Sequence, residues 1–141
     1  MLVGFILQRR VNLWLILLIH SIVAYGCPAA WIVGGAEGIG VYTYSISGEL
    51  ERKYPVGFDK AWQTSVATLE QLQFIKEATN RDGLSGSIEA KRADGTPIHV
   101  KFELVSDKVT SIKIKVGIFG DRQISELIHE RIKENLGLPR I

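Results

Sequence analysis

The sequence predicts an α+β domain that follows an N-terminal membrane or signal segment. Runs in which apolar and polar side chains alternate indicate strands, and two stretches with apolar side chains three or four residues apart indicate helices. One face of the mainly antiparallel sheet and one stripe of each helix are apolar, so a two-layer sandwich buries all of them together. We therefore expect about five strands, in the order β-α-β-β-β-β-α, with both amphipathic helices on one face of the sheet.

The first strand is predicted from about Val41 to Tyr54, where Pro55 and Gly57 end it. Every second residue contributes to its apolar face, which carries Tyr42, Tyr44, Ile46, Leu50 and Tyr54. A helix follows, because small or apolar side chains recur at intervals of three and four residues over about four turns. These side chains are Phe58, Ala61, Trp62, Ser65, Val66, Leu69 and Leu72.

Three strands are predicted after this helix: a short one around residues 74–79 and two strongly alternating ones. The alternating strands have apolar faces formed by Leu84, Gly86, Ile88 and Ala90, and by Ile98, Val100, Phe102 and Leu104. If both faces belong to one core, the numbers of paired residues add to an even value, which requires a loop with an odd number of residues. We expect Ile88 opposite Phe102 and Ala90 opposite Val100.

The last strand has an apolar face formed by Ile112, Ile114, Val116 and Ile118. Asp121 is then predicted to cap a second helix, which Gly137 and Pro139 end. The inward side chains of this helix are expected to be Ile124, Leu127, Ile128, Ile132 and Leu136. Together these elements predict a single domain over residues 41–141.

The segment before the domain has the pattern of a secretory signal. Arg9 and Arg10 precede a stretch without Asp, Glu, Lys or Arg that runs from Val11 to Ala36. Cys27, the only cysteine of the chain, follows Gly26 within this stretch. We predict residues 1–26 as a signal peptide or membrane anchor, Cys27 as a lipidated residue, and residues 27–40 as a glycine-rich tether.

An uncleaved transmembrane helix is the alternative, because the uncharged stretch exceeds the roughly 20 residues that span a bilayer. The bulky Tyr25 departs from the usual pattern before a lipidated cysteine, whereas glycines from Gly34 onward disfavour a continuous helix. Both anchors leave Arg9 and Arg10 in the cytoplasm and place the domain outside it.

Charge excludes one class of partner. All 15 acidic residues follow Cys27, and they balance every Lys and Arg except Arg9 and Arg10, so the net charge of +2 comes from the N-terminal segment. A neutral domain gives no electrostatic reason to bind nucleic acid, and we predict no nucleic-acid partner. A lone cysteine cannot form an intramolecular disulfide, so packing alone must stabilise the domain.

The sequence contains few residues in patterns typical of a catalytic or metal-binding site. After the N-terminal segment only His99 and His129 remain, and neither has the spacing of a metal ligand. We interpret His99 as a solvated residue on the polar face of a strand, and His129 as a solvated residue on a helix flank. No catalytic residue, metal or cofactor is predicted; a pocket that gathers either histidine with two carboxylates would favour an enzyme.

The outer face of the sheet is the one surface for which the sequence predicts a distinctive charge. Its basic side chains are predicted to be Lys91, His99, Lys101, Lys113 and Lys115, countered by Glu89 and Glu103. Such an excess could bind anionic lipid headgroups, polysaccharide or an acidic partner. An ordinary solvated face with cross-strand charge pairs is the alternative.

Several segments also resemble a known family. They are the signal-like segment that ends in Cys27, Tyr42-Thr-Tyr44, Gly48-Glu-Leu-Glu-Arg-Lys-Tyr-Pro55, the Trp62 helix, Leu84-Ser-Gly-Ser-Ile-Glu-Ala90, Arg92-Ala-Asp-Gly95 and Val116-Gly-Ile-Phe-Gly-Asp121. The chain is similar over most of its length to the bacterial domain-of-unknown-function family 3568. The resemblance implies a small envelope lipoprotein and transfers no catalytic residue.

These observations predict a non-catalytic, membrane-attached protein of the bacterial cell envelope, with its domain on the periplasmic side. A lipoprotein with a binding or assembly domain is the favoured hypothesis, and its partner would be an unidentified envelope protein or an anionic surface. Two alternatives stay open: a single-pass transmembrane protein with a ligand-sensing domain, and a subunit of an envelope enzyme.

Overall fold

The structure, a computed structural model, describes residues 40–139 and has the element order β-β-α-β-β-β-β-α. Its strands are β1 (Tyr42–Tyr44), β2 (Leu50–Tyr54), β3 (Ile75–Arg81), β4 (Ser85–Lys91), β5 (Pro97–Ser106) and β6 (Val109–Val116). Its helices are α1 (Phe58–Gln71) and α2 (Arg122–Asn135). The α+β class is confirmed, with six strands. The predicted signal segment, Cys27 and the tether lie outside the described residues.

The strands form one open sheet in the order β1-β2-β6-β5-β4-β3, and all neighbours are antiparallel. Both helices cover the same face, where their stripes meet the alternating apolar side chains of the strands. The fully buried core side chains include Leu50, Leu69, Ile88, Ile98, Val100, Ile112, Ile114, Ile128 and Ile132. No helix within residues 40–139 is long and apolar enough to cross a membrane.

The strand predicted from Val41 to Tyr54 is a hairpin, and this prediction was wrong. The chain reverses over residues 45–49, where the Ser45 N–H donates to the Glu49 carbonyl (2.9 Å) and the Glu49 N–H donates to Ser45 Oγ (3.1 Å). An odd loop keeps Tyr44 opposite Leu50 and both on the helix side, so the alternation continues through the turn. Ile46 lies on the loop and is exposed instead of inward.

The pairing of β4 with β5 has the expected even sum but not the expected partners. Ile88 lies opposite Val100, and Ala90 lies opposite Ile98, which is two residues from the predicted register. The reason is a five-residue connection, residues 92–96, closed by a hydrogen bond from the Arg92 N–H to the Thr96 carbonyl at 2.9 Å. A shift of two residues leaves every side chain on its predicted face.

The start of α2 is as predicted, since Asp121 Oδ1 accepts a hydrogen bond from the Ile124 N–H at 3.1 Å. Besides Ile46 and the partly exposed Tyr44, three more apolar side chains expected inside are exposed: Leu84, Ile118 and Leu127. Ile118 follows Gly117, whose positive φ of 74° ends β6. The buried stripe of α2 is rotated away from Leu127 because it includes Ser125 and His129 together with Ile128 and Ile132.

The loop before β2 touches the loop after β6 through two glycines. A Cβ atom on Gly48 (φ 80°) would lie 2.1 Å from the Phe119 carbonyl oxygen, and one on Gly120 (φ 88°) would lie 2.2 Å from the Gly48 carbonyl oxygen. Neither position can therefore carry a side chain without separating the two backbones.

We predict that Gly48→Ala destabilises the protein much more than Gly95→Ala. Gly95 has the same kind of backbone conformation (φ 85°) but open space around its Cβ position, so its substitution costs only the left-handed penalty of about 1–2 kcal/mol. Gly48→Ala adds the backbone clash to that penalty. Urea unfolding of the full-length variants in detergent measures both losses, and equal losses would contradict a close contact between the loops.

Candidate functional site

A buried arginine lies where β1, β2 and α2 meet. Arg52 alternates with Leu50 and Tyr54 on the inward side of β2 and is only 4% exposed. Its Nη1 donates to Tyr42 Oη and to Glu130 Oε1, each at 2.8 Å. Its Cζ lies 4.6 Å from the centroid of the Tyr42 ring and 5.5 Å from that of the Tyr54 ring, within the range of cation–π attraction.

We name this group, with the adjacent histidine, the Arg52 cluster: Tyr42, Arg52, Tyr54, His129 and Glu130. The Tyr42 hydroxyl accepts from Arg52 and donates to Glu130 Oε1 at 2.6 Å. This hydrogen bond, together with that from Arg52, lowers the pKa of Glu130 below its usual range. Burial and the bond to Glu130 raise the pKa of Tyr42. Glu130 is therefore held as a carboxylate and Tyr42 as a phenol.

His129 is completely buried behind Arg52, so the prediction of a solvated His129 was wrong. Its Nε2 lies 2.9 Å from the Leu50 carbonyl oxygen, which can only accept, so we assign the proton to Nε2. Nδ1 then accepts from Tyr54 Oη at 2.8 Å. Burial, with a smaller contribution from the positive charge of Arg52, lowers the pKa of His129 to about 4.

This geometry makes the Arg52 cluster a structural network. A catalytic base has to reach a substrate proton, whereas both ring nitrogens of His129 are engaged and the ring has no exposed surface. The hydrogen bonds join the backbone of β2 to α2, and Tyr42 brings β1 into the same network. Its chemistry is to orient α2 on the sheet.

Sequence reasoning missed Arg52 and His129, although a signal for each was present. Arg52 falls at the inward phase of an alternation that includes Leu50 and Tyr54. His129 lies one residue after Ile128 and three before Ile132, within the apolar stripe of α2. The sequence analysis made no prediction for Arg52 and interpreted His129 as solvated. Charged and polar side chains are seldom buried without partners, and these partners come from other elements.

The structure places the predicted basic residues together on the outer face of the sheet. His99 lies opposite Lys115 and Lys101 lies opposite Lys113 in the pairing of β5 with β6. Lys91 lies near the end of β4 on the same face, opposite Pro97. Like charges that face each other directly repel, so carboxylates are needed between them.

Those carboxylates are more numerous than the sequence indicated. Three of the lysines form ion pairs, at 2.5 Å between Lys91 and Glu77, 2.6 Å between Lys101 and Glu49, and 3.3 Å between Lys113 and Glu103. Glu51 lies opposite Lys113, and Glu89 lies opposite His99. With Lys53 also on this face, lysines and glutamates balance. The role of the face in binding an anionic partner stays a prediction, but without the positive excess that suggested it.

Exposed apolar side chains gather on the two loops that Gly48 and Gly120 hold together. We call Ile46, Ile118 and Phe119 the apolar loop pair; Ile118 is 76% exposed and Phe119 is 89% exposed. Tyr44, partly exposed beside them, lies under the guanidinium of Arg122, with Cζ 5.9 Å from the ring centroid. A rigid group of exposed apolar side chains is typical of an interaction surface.

We predict that the free energy of unfolding falls by roughly 3 kcal/mol between pH 6.5 and pH 4 because of His129. In the unfolded chain the imidazole takes up a proton near pH 6.5, whereas the folded protein resists protonation until about pH 4. This contribution is fully present above pH 6.5, is lost as the pH decreases to 4, and does not change further below that.

The measurement is urea unfolding of the full-length protein in detergent at a series of pH values. His129→Gln should be less stable at neutral pH and should lose this part of the pH dependence. His99→Gln keeps His129 and serves as the matched control. If His129→Gln retained the slope of the control, the neutral buried imidazole would be refuted.

Within residues 40–139 no group of three or more His, Cys, Asp or Glu side chains is arranged to hold a metal ion.

No curated protein matches the chain. The sequence model of one family, described as "Protein of unknown function (DUF3568)", matches residues 10–135. Because this match covers most of the chain, including all six strands and both helices, the protein belongs to the family DUF3568.

Proposed function

We propose that the protein is a non-catalytic, membrane-attached component of the cell envelope, whose domain binds or assembles with another envelope protein. The apolar loop pair is the observation that carries this proposal. Ile46, Ile118 and Phe119 lie outside the apolar core beneath the helices, and their side chains are exposed to solvent. Exposed apolar side chains on rigid loops gain free energy when a partner removes them from water.

The rigidity of these loops supports binding over a purely structural role. The backbone contact between Gly48 and the 118–120 loop fixes the apolar loop pair before any partner arrives. A preformed surface loses less conformational entropy on association than a mobile one. A non-catalytic role is supported by the burial of His129, whose two ring nitrogens are both engaged within the core.

Attachment to the membrane is proposed from the N-terminal segment. The uncharged stretch after Arg9 and Arg10 and the position of Cys27 favour a lipid anchor, with the domain on the periplasmic side. A membrane anchor also concentrates the domain near other envelope proteins, which strengthens weak contacts such as a small apolar surface can make.

A ligand-sensing domain on a transmembrane helix is the second candidate. It is favoured by a cavity of about 140 Å³ beside Arg52 and Lys133, because a concave space lined by charged and apolar groups suits a small molecule. The two candidates differ in the anchor and in the surface that makes the contact.

We predict that the intact protein extracted from membranes begins at Cys27 and carries the added mass of a diacylglyceryl group and an acyl chain. Cys27→Ala should lack that mass, since the thiol is the acceptor. Intact-mass spectrometry of both proteins makes the comparison. A chain that retains Arg9 and Arg10 without modification would contradict the lipid anchor and favour the transmembrane alternative.

We also predict that replacing Ile46 and Phe119 by Ser removes assembly without unfolding the domain. Both side chains are exposed, so their loss costs little core packing. Chemical cross-linking in native membranes should give a discrete complex with the wild-type protein and much less with the double variant. Leu84→Ser, at an exposed apolar residue away from these loops, is the matched control. Equal cross-linking in all three proteins would contradict the proposed surface.

A further inference from the structure

Two cationic side chains that are almost fully buried lie beside the cavity at the C-terminal end of β2. Arg52 is 4% exposed and Lys133 is 6% exposed, and both line the cavity. Lysine and arginine are rarely buried to this extent without full pairing, because removing a charge from water is costly. Because both side chains are buried at one cavity, neighbouring groups must compensate their positive charges.

The protein supplies only part of this compensation. The ion pairs of Arg52 and Lys133 both end on Glu130, at 2.8 Å for Arg52 Nη1 and at 3.8 Å for Lys133 Nζ. The longer distance is beyond a hydrogen bond. Glu130 is itself about half exposed, so water weakens its attraction for both cations. Two cations and one carboxylate leave one positive charge uncompensated within this group of three.

Hydrogen-bonding capacity is unused as well. Both hydrogen bonds of Arg52 described above come from Nη1, while its buried Nε has no hydrogen-bond partner among residues 40–139. A buried N–H without an acceptor costs about 1–3 kcal/mol, and more for a charged group. A buried guanidinium nitrogen without a partner is uncommon, and charged donors such as guanidinium and ammonium groups bind carboxylates strongly.

The other residues that line the cavity indicate the size and polarity of the rest of such an anion. Pro55, Leu138 and Pro139 contribute apolar surface, and Gly40, Lys53 and Tyr54 complete the lining. The cavity has a volume of about 140 Å³. That space holds one charged group and a short apolar chain.

We propose that this cavity is a binding site for a carboxylate with a short apolar body. A carboxylate supplies the negative charge that Glu130 alone does not give the buried pair, and Lys53, which also lines the cavity, adds to the attraction for an anion. The carboxylate oxygens accept from Lys133 and the Arg52 guanidinium, and the apolar chain lies against Pro55, Leu138 and Pro139. The ligand is a free short-chain acid or the C-terminal carboxylate of a peptide, which share this chemistry. The inference goes beyond the proposed function and holds for either anchor.

The test is an NMR titration of the ¹⁵N-labelled full-length protein in detergent, followed at the backbone N–H groups of Gly40 and Leu138, which line the cavity. Propionate represents the free acid, and N-acetylalanine represents a peptide C-terminus. Propionamide has the size of propionate without its charge, and sodium chloride controls for ionic strength. We expect saturable shifts with at least one carboxylate and none with propionamide or chloride.

Variants at Lys133 connect the binding to the proposed residue. Lys133→Gln removes one charge-assisted hydrogen bond, so the affinity for the carboxylate should fall by about tenfold. Lys133→Arg keeps the charge and should bind within a few-fold of wild type, which shows that the site tolerates substitution. Lys60→Gln makes the same charge change at an exposed residue of α1 and should bind as the wild-type protein does.

The outcomes decide both the site and its ligand. Tighter binding of propionate identifies free acids, and tighter binding of N-acetylalanine identifies peptide C-termini. Equal shifts with propionamide, or equal affinities of Lys133→Gln and Lys60→Gln, would overturn the proposal, as would shifts that follow ionic strength alone. None of these results depends on Cys27, the apolar loop pair or the cross-linked complex, so the proposed function stands or fails separately.

Discussion

The burial of the Arg52 guanidinium is the constraint on which one side of the domain depends. Removing this charge from water costs several kcal/mol unless neighbouring groups compensate it. The compensation comes from three elements: Tyr42 on β1, Tyr54 on β2 and Glu130 on α2. Because β1 has only three residues, its backbone pairing with β2 is short. The side-chain contacts of Arg52 therefore hold the edge strand and the last helix against the sheet together.

His129 extends this constraint into the core. Its imidazole joins the Leu50 carbonyl of β2 to the Tyr54 hydroxyl, so the ring is neutral and its orientation is fixed. Both ring nitrogens of His129 are satisfied, and in a low-dielectric interior this specifies one orientation of the ring, because the alternatives leave a buried group unpaired. The position of α2 on the sheet follows from this network as much as from its apolar stripe, which explains why Leu127 turns outward.

The two ends of β2 consequently present different surfaces. Before β2, the backbone contact between Gly48 and Gly120 fixes two loops that expose Ile46, Ile118 and Phe119. After β2, Arg52 and Lys133 border a small cavity with apolar walls. The first end is the surface proposed for an envelope partner, and the second is the site proposed for a small carboxylate. The Arg52 cluster borders the second site through Arg52 itself.

Local pattern in the sequence was enough to predict the α+β class, both helices, the Asp121 cap and the faces of β4, β5 and β6, because alternation and helical periodicity depend on neighbouring residues. The hairpin between β1 and β2 was not predicted, because an odd loop preserves the apolar–polar alternation by which a single strand is recognised. The pairing partner of Ile88 was predicted wrongly, because loop length and not the apolar pattern decides between registers two residues apart. The burial of Arg52, His129 and Lys133 depends on partners distant in sequence, and only the tertiary structure brings those together.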